Sequence, residues 1–192
     1  MTNRSLRKKR ITTHEAGHAV VAYLINCRIT EIRLYPSYHA YNGSVDTERP
    51  VDIGDRVLIS CAGNAAQYLL AGHKYWSRSS QDYINAYNSL SWLYGYKEEI
   101  TACIDLYWIC AKNMVAEPEN WSAVNHLARA LERNYPETPY LNEYGDEDDN
   151  DGDYLNFVQM DGSEAEEIIR KAIEMYRLPQ EEELFDAYQE PS

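Results

Sequence analysis

The sequence predicts one mostly helical (α+β) domain spanning residues 1–192, with a single small β-hairpin. Three observations predict it. Apolar residues recur at helical spacing through most of the chain, one Ile-rich stretch alternates instead, and no linker is long enough to separate two domains. A chain of 192 residues, 44% of them hydrophobic, is enough to bury one sizeable core.

Thr12 or Thr13 can cap a first helix running to about Asn26. Residues 27–35 alternate and are rich in Ile, so they read as a strand. A turn over residues 36–42 leads to a second short strand at residues 43–46. Residues 50–55 open a second helix, with Leu58, Cys61, Ala65 and Leu69 on one face and Gly72 as its stop. Ser79 or Ser80 starts a third helix reaching about Tyr94. Residues 98–116 form a strongly apolar fourth helix, with Pro118 just beyond its end. Residues 120–133 repeat the period through Trp121, Val124, Leu127, Ala128 and Leu131. Pro136 and Pro139 then break the pattern, and an acidic loop follows at residues 143–153. A last helix covers residues 163–176, where Ser163 and Glu166 have the spacing of a capping box. Residues 178–192 form a polar tail.

Charge narrows the function classes. The net charge is −13, yet residues 1–10 form a basic arm carrying Arg4, Arg7, Lys8, Lys9 and Arg10. The rest of the chain holds 13 basic against 31 acidic side chains, a body that repels phosphate backbones and argues against nucleic acid as partner. The arm is expected to be a solvated, disordered start. The longest apolar run, residues 19–25, is too short for a bilayer, and no signal-peptide pattern opens the chain. A soluble, cytoplasmic protein is expected, with Cys27, Cys61, Cys103 and Cys110 as reduced thiols in apolar surroundings. The acidic loop lacks the Glu that a calcium loop needs at its twelfth position, since Val158 stands there. The 17 Tyr against 2 Phe imply a core with many amphipathic edges.

The chemistry concentrates at His14-Glu15-Ala16-Gly17-His18, an H-E-x-x-H pattern on the first helix. Residues four apart are offset by about 40° on a helix, so both imidazoles leave one face and can converge on one zinc ion per chain. Glu15 is placed to take a proton from a water held on that metal. The following Ala-Val-Val-Ala-Tyr-Leu-Ile run buries the helix, so its histidines need partners. Gly17, costly inside a helix, implies close packing beside the site. A third protein ligand is required. Asp52, Asp55, Asp82, Glu98, Glu99, His39 and His73 are candidates by residue type, and spacing does not choose among them. Gly43-Ser44-Val45 reads either as an ordinary hairpin strand or as an edge that pairs with an extended substrate. His126 reads as structural.

The run Thr12-x-His14-Glu15-Ala16-Gly17-His18-Ala19-Val20-Val21-Ala22 resembles the zinc motif of the FtsH-type ATP-dependent metalloproteases. Residues 59–70 (ISCAGNAAQYLL) resemble that family's Leu-Ala-Gly-Arg-Ala-Ala-Glu helix, and Gly72 falls where a Gly is frequent. Ser80-Gln81-Asp82 with Ala86 is similar to its Gly-Ala-x-x-Asp-Leu-x-x-Ala segment, whose Asp is the third zinc ligand. The resemblance therefore implies a zincin-like peptidase domain in which His14, His18 and Asp82 hold zinc and Glu15 is the catalytic base. It covers residues 11–92, and more loosely the helices after them.

Three departures stand out. Asn64 and Gln67 replace an Arg and a Glu, Ser77-Arg78 lacks an expected Gly, and no G-x-x-x-x-G-K-[ST] phosphate loop is present. The expected activity is thus a metalloendopeptidase acting on unfolded or flexible polypeptide without its own motor and without membrane insertion. A homo-oligomer or an ATPase partner in trans is compatible with this, as is a non-catalytic zinc-binding interaction module derived from a peptidase.

Overall fold

A computed structural model describes residues 3–35, 43–48, 52–72, 77–78, 80–135 and 157–178. The turn at residues 36–42, His39, His73, the acidic loop and the tail beyond residue 178 lie outside the described residues. Those described form six helices and a three-stranded antiparallel sheet, in agreement with a mostly α (α+β) class. No helix among them is long and apolar enough to cross a membrane.

The first helix, α1 (Asn3–Leu24), begins nine residues before the expected cap and takes in most of the basic arm, which is helical rather than disordered. The reason is local. Leu, Arg and Lys at residues 6–10 are good helix formers. The Thr12 hydroxyl bonds back to the Lys8 and Lys9 carbonyls instead of capping a new helix. From Ile11 to Ala22 nearly every residue of α1 is buried, so this helix is the axis of the domain.

Strands β1 (Ile29–Leu34) and β2 (Gly43–Thr47) form the expected hairpin. A third strand, β3 (Val158–Asp161), pairs with the other side of β1 and corrects the two-stranded expectation. Only Met160 of β3 is buried, so the strand is too short to show a period in the sequence. The sheet order is β2-β1-β3, which leaves β2 at an edge.

Helix α2 (Ile53–Ala71) starts at Asp52, whose side chain accepts from the Gly54 amide. It stops at Gly72, which takes a left-handed φ of 74° and returns its amide to the Tyr68 carbonyl. Helix α3 (Gln81–Leu90) is capped by Ser80, whose hydroxyl oxygen accepts from the Tyr83 amide. Helix α4 (Lys97–Ala116) buries Ile100, Ile104, Trp108, Ala111 and Val115, and packs mainly on α2. Pro118 does not merely terminate α4; it occupies the first turn of α5 (Pro118–Asn134), where its missing amide costs nothing.

Helix α6 (Gly162–Arg177) departs from the capping-box expectation. Its cap is Asp161, which accepts from the Ser163 amide. Glu166 instead reaches across to the Ile29 amide at 2.8 Å, at the irregularity where β1 leaves its pairing with β2. Arg177 ties the far end of α6 to Glu119 on α5 at 2.7 Å. The four cysteines are free thiols, but only Cys61 is buried. Cys27 and Cys103 are half-buried, and Cys110 is exposed on the outer face of α4, against the expectation of apolar surroundings throughout.

The Glu166 link carries a testable consequence. Glu166→Ala leaves a strand amide unpaired, so urea unfolding should show a loss of about 1–3 kcal/mol, the range for an unsatisfied buried donor.

Candidate functional site

Two glycines bring α1 and α2 together. A Cβ at Gly17 would stand 2.7 Å from both the Ala62 carbonyl oxygen and the Ala66 Cβ, so only glycine permits this separation. One turn along, a Cβ at Gly63 would come within 2.4 Å of His18 Nε2 and 2.7 Å of His14 Nε2. The two imidazoles therefore lie directly against the backbone of α2. The close packing expected beside Gly17 is present.

His14 and His18 project from one face of α1, their ring centroids 4.7 Å apart and their planes at 82°. His18 Nδ1 lies 2.7 Å from the Ile59 carbonyl. A carbonyl only accepts, so Nδ1 carries the proton and donates it, which turns Nε2 inward. The two Nε2 atoms stand 3.1 Å apart. Buried His14 Nδ1 has no hydrogen-bond partner among the described residues.

The third group comes from the first turn of α3. Asp82 Oδ2 lies 3.0 Å from His14 Nε2, and Oδ1 lies 3.6 Å from His18 Nε2. Among the described residues His14, His18 and Asp82 are the only such cluster, their ligand atoms within 4.8 Å of one another, and they can hold a metal ion. Asp82 is thus the candidate that joins the histidines. Asp52 caps α2, Asp55 sits in the first turn of α2, and Glu98 and Glu99 are exposed at the start of α4. His126 is exposed on α5 with Nδ1 turned to the Ser122 carbonyl at 2.9 Å.

Asn64 is the positioning residue that sequence reasoning missed. Its side-chain amide donates to Asp82 Oδ2 at 3.0 Å, while its own helix packs against α1. The sequence marked Asn64 only as a departure from a pattern. Gln67, the other departure, faces elsewhere and donates to the Arg10 carbonyl at 3.2 Å. Gly43, read from the sequence only as part of a hairpin strand or a substrate-pairing edge, also borders the site. Its Cα faces the Glu15 carboxylate so closely that a Cβ would meet Oε1 at 2.6 Å. A glycine inside an Ala-rich helix, as at Gly63, was a signal of close approach of the same kind as Gly17.

Glu15 is 4% exposed. Burial raises its carboxyl above the ordinary value, against the pull of the His14 and His18 imidazoles. Burial also disfavours charge on His18. Asp82, by charge and hydrogen bond, together with Glu15 and the Ile59 carbonyl, nevertheless carries the His18 pKa up to about 9. Asp82 shows the reverse balance: burial opposes its ionisation, but the two imidazoles hold it well below the usual carboxylate range.

Neither the protein-family models nor the curated proteins contain a match to this chain.

The Asn64–Asp82 bond generates a prediction. Asn64→Ala should leave the fold intact and weaken metal binding about 10–100-fold, as measured by competition against a chelator of known affinity.

Proposed function

We propose that this protein is a zinc-dependent metalloendopeptidase, similar in its site to the FtsH-type peptidases. The observation that carries the proposal is one arrangement: three metal-ligand groups converge where a buried glutamate, one residue along from the first histidine, has its carboxyl raised by burial.

The donor set fits zinc. Ligand atoms of a tetrahedral site with bonds of about 2.0–2.1 Å stand about 3.3–3.4 Å apart. Here the two Nε2 atoms are 3.1 Å apart, His14 Nε2 is 3.0 Å from Asp82 Oδ2, and His18 Nε2 is 3.6 Å from the other carboxylate oxygen, Oδ1. Two imidazoles and one carboxylate are borderline ligands that suit zinc, and three protein groups are the number that a catalytic zinc site uses. His14, His18 and Asp82 would hold the ion. Bound there, it supplies Lewis acidity, polarising a peptide carbonyl and acidifying water.

The remaining chemistry belongs to the chain. Glu15 takes a proton from the attacking water as the new C–O bond forms, and passes it to the amide nitrogen as the C–N bond breaks. A carboxyl raised by burial is better matched to both transfers than an exposed one. His18 is locked in orientation by the Ile59 carbonyl, and Asp82 by Asn64. Strand β2 runs along the sheet edge with Gly43 against Glu15, so an extended substrate segment can add to that edge and pass the base. Such a site takes unfolded segments or flexible loops, and acts without ATP.

Casein cleavage by zinc-loaded protein without ATP tests the proposal. Glu15→Gln should retain one zinc and lose at least about a hundredfold in rate, in line with general-base contributions of about 10²–10⁴. Asp82→Ala should lose zinc and activity together. No cleavage by either the parent or Glu15→Gln, with zinc bound in both, would overturn the proposal in favour of a metal-binding interaction module or a subunit that needs a motor in trans. Equal cleavage by both would place the chemistry elsewhere.

A further inference from the structure

Helix α4 is apolar on two faces. One, built from Ile100, Ile104, Trp108, Ala111 and Val115, is buried. The other carries Ala102, Leu106, Ile109, Asn113 and Ala116, all exposed, with Leu106 at 59% and Ile109 at 46%. Their spacing is 4-3-4-3, the a/d seam of a heptad repeat, with Leu106 and Asn113 at a, and Ala102, Ile109 and Ala116 at d. A seam of this period is what a helix needs to pack along a second helix, and it points away from α2 and the metal-ligand cluster. The apolar surface continues just before α4, where Trp92 is 86% exposed, Leu93 60% and Tyr96 70%.

The residues flanking the seam identify the occupant. In this heptad Asp105 and Lys112 fall at g, while Cys103 and Cys110 fall at e. When two helices pair antiparallel, g positions face g and e positions face e. Two copies of α4 paired in this way set Asp105 against the partner's Lys112, and the two-fold axis repeats the pair. The cysteines meet as an uncharged pair, and Leu106 packs with the partner's Ile109. Within one chain Lys112 Nζ lies 5.8 Å from the ring centroid of Trp108 on the buried face, one turn back, a contact it exchanges for the partner's Asp105. A parallel pairing would face Asp105 with a cysteine instead.

We infer that α4 is a self-association surface: two copies of this chain pair through antiparallel α4 helices, with Asp105–Lys112 ion pairs on both sides of a Leu106–Ile109 centre. The surface is isologous, as a two-fold dimer requires. The 20-residue helix offers about 30 Å of contact length, at about 1.5 Å per residue. The pairing uses no residue of the metal-ligand cluster, so it stands independently of the proposed peptidase activity.

Sedimentation equilibrium of the full chain, under reducing conditions and over about a hundredfold range of concentration, tests the inference. The parent should dimerise and Ile109→Glu should be monomeric, with an unchanged circular dichroism spectrum because position 109 is exposed. Asp105→Lys should weaken the dimer about tenfold or more by facing two lysines. The double variant Asp105→Lys/Lys112→Asp should restore it. A parent that is monomeric throughout, a dimer indifferent to Ile109→Glu, or a double variant no better than the single would each overturn the inference. Binding of Ile109-intact protein to lipid vesicles or to an unrelated helix, without self-association, would overturn it as well.

Discussion

The site depends on how closely α1 approaches α2. Gly17 lets α1 rest on the Ala62 carbonyl and the Ala66 methyl, and Gly63 lets α2 present bare backbone to both imidazoles. Everything chemically distinctive follows from that approach. His18 can reach the Ile59 carbonyl only because α2 passes this close, and that bond sets which ring nitrogen faces the cluster. Asn64, the residue after Gly63, is carried to within hydrogen-bond distance of Asp82. The close contact of α1 with α2 and the candidate metal site are therefore one feature. A methyl group added at either glycine would act on both.

The electrostatics of the site have a single sense. Two carboxylates, Glu15 and Asp82, are brought into a water-poor pocket with two imidazoles, and the pKa directions show what the pocket favours. Asp82 stays ionised against burial, and His18 holds a proton up to about pH 9 against burial. Both shifts arise because a positive charge among the donors is stabilised there. A divalent cation satisfies the same requirement more fully than a proton does, which is the linkage expected of a metal site. Glu15 is treated differently. Burial outweighs the pull of the imidazoles and its carboxyl rises, so the two acids are pushed in opposite directions.

Much of this was legible in the sequence wherever a physical constraint is written in adjacent residues. The H-E-x-x-H spacing fixes the face of a helix, residues 50–55 and the Ser79-Ser80 pair mark helix starts, and Gly72 marks a stop that needs a left-handed residue. What sequence alone did not yield depends on distant partners. Thr12 and Thr13 look like caps because their hydroxyls favour caps, but in a helix already nucleated upstream Thr12 bonds back to the preceding turn. Ser163 and Glu166 have capping-box spacing, yet Glu166 finds a strand amide 137 residues away. Strand β3 buries one side chain and takes its identity from β1, not from its own pattern. The long apolar run of residues 98–116 was legible as a helix, but its composition could not tell that Ala102, Leu106, Ile109, Cys110 and Ala116 face outward.

The same reasoning explains the residue at position 64. A guanidinium at this position would offer Asp82 a permanent cation and compete with any metal ion for its charge. An asparagine in the same place donates a hydrogen bond but contributes no charge. Asp82 is then held in orientation by Asn64 while its full negative charge remains directed at His14 and His18. Gln67 is likewise uncharged and spends its donor on the Arg10 carbonyl. With an uncharged side chain at position 64, His14, His18, Asp82 and Glu15 are the titratable groups of the pocket among the described residues.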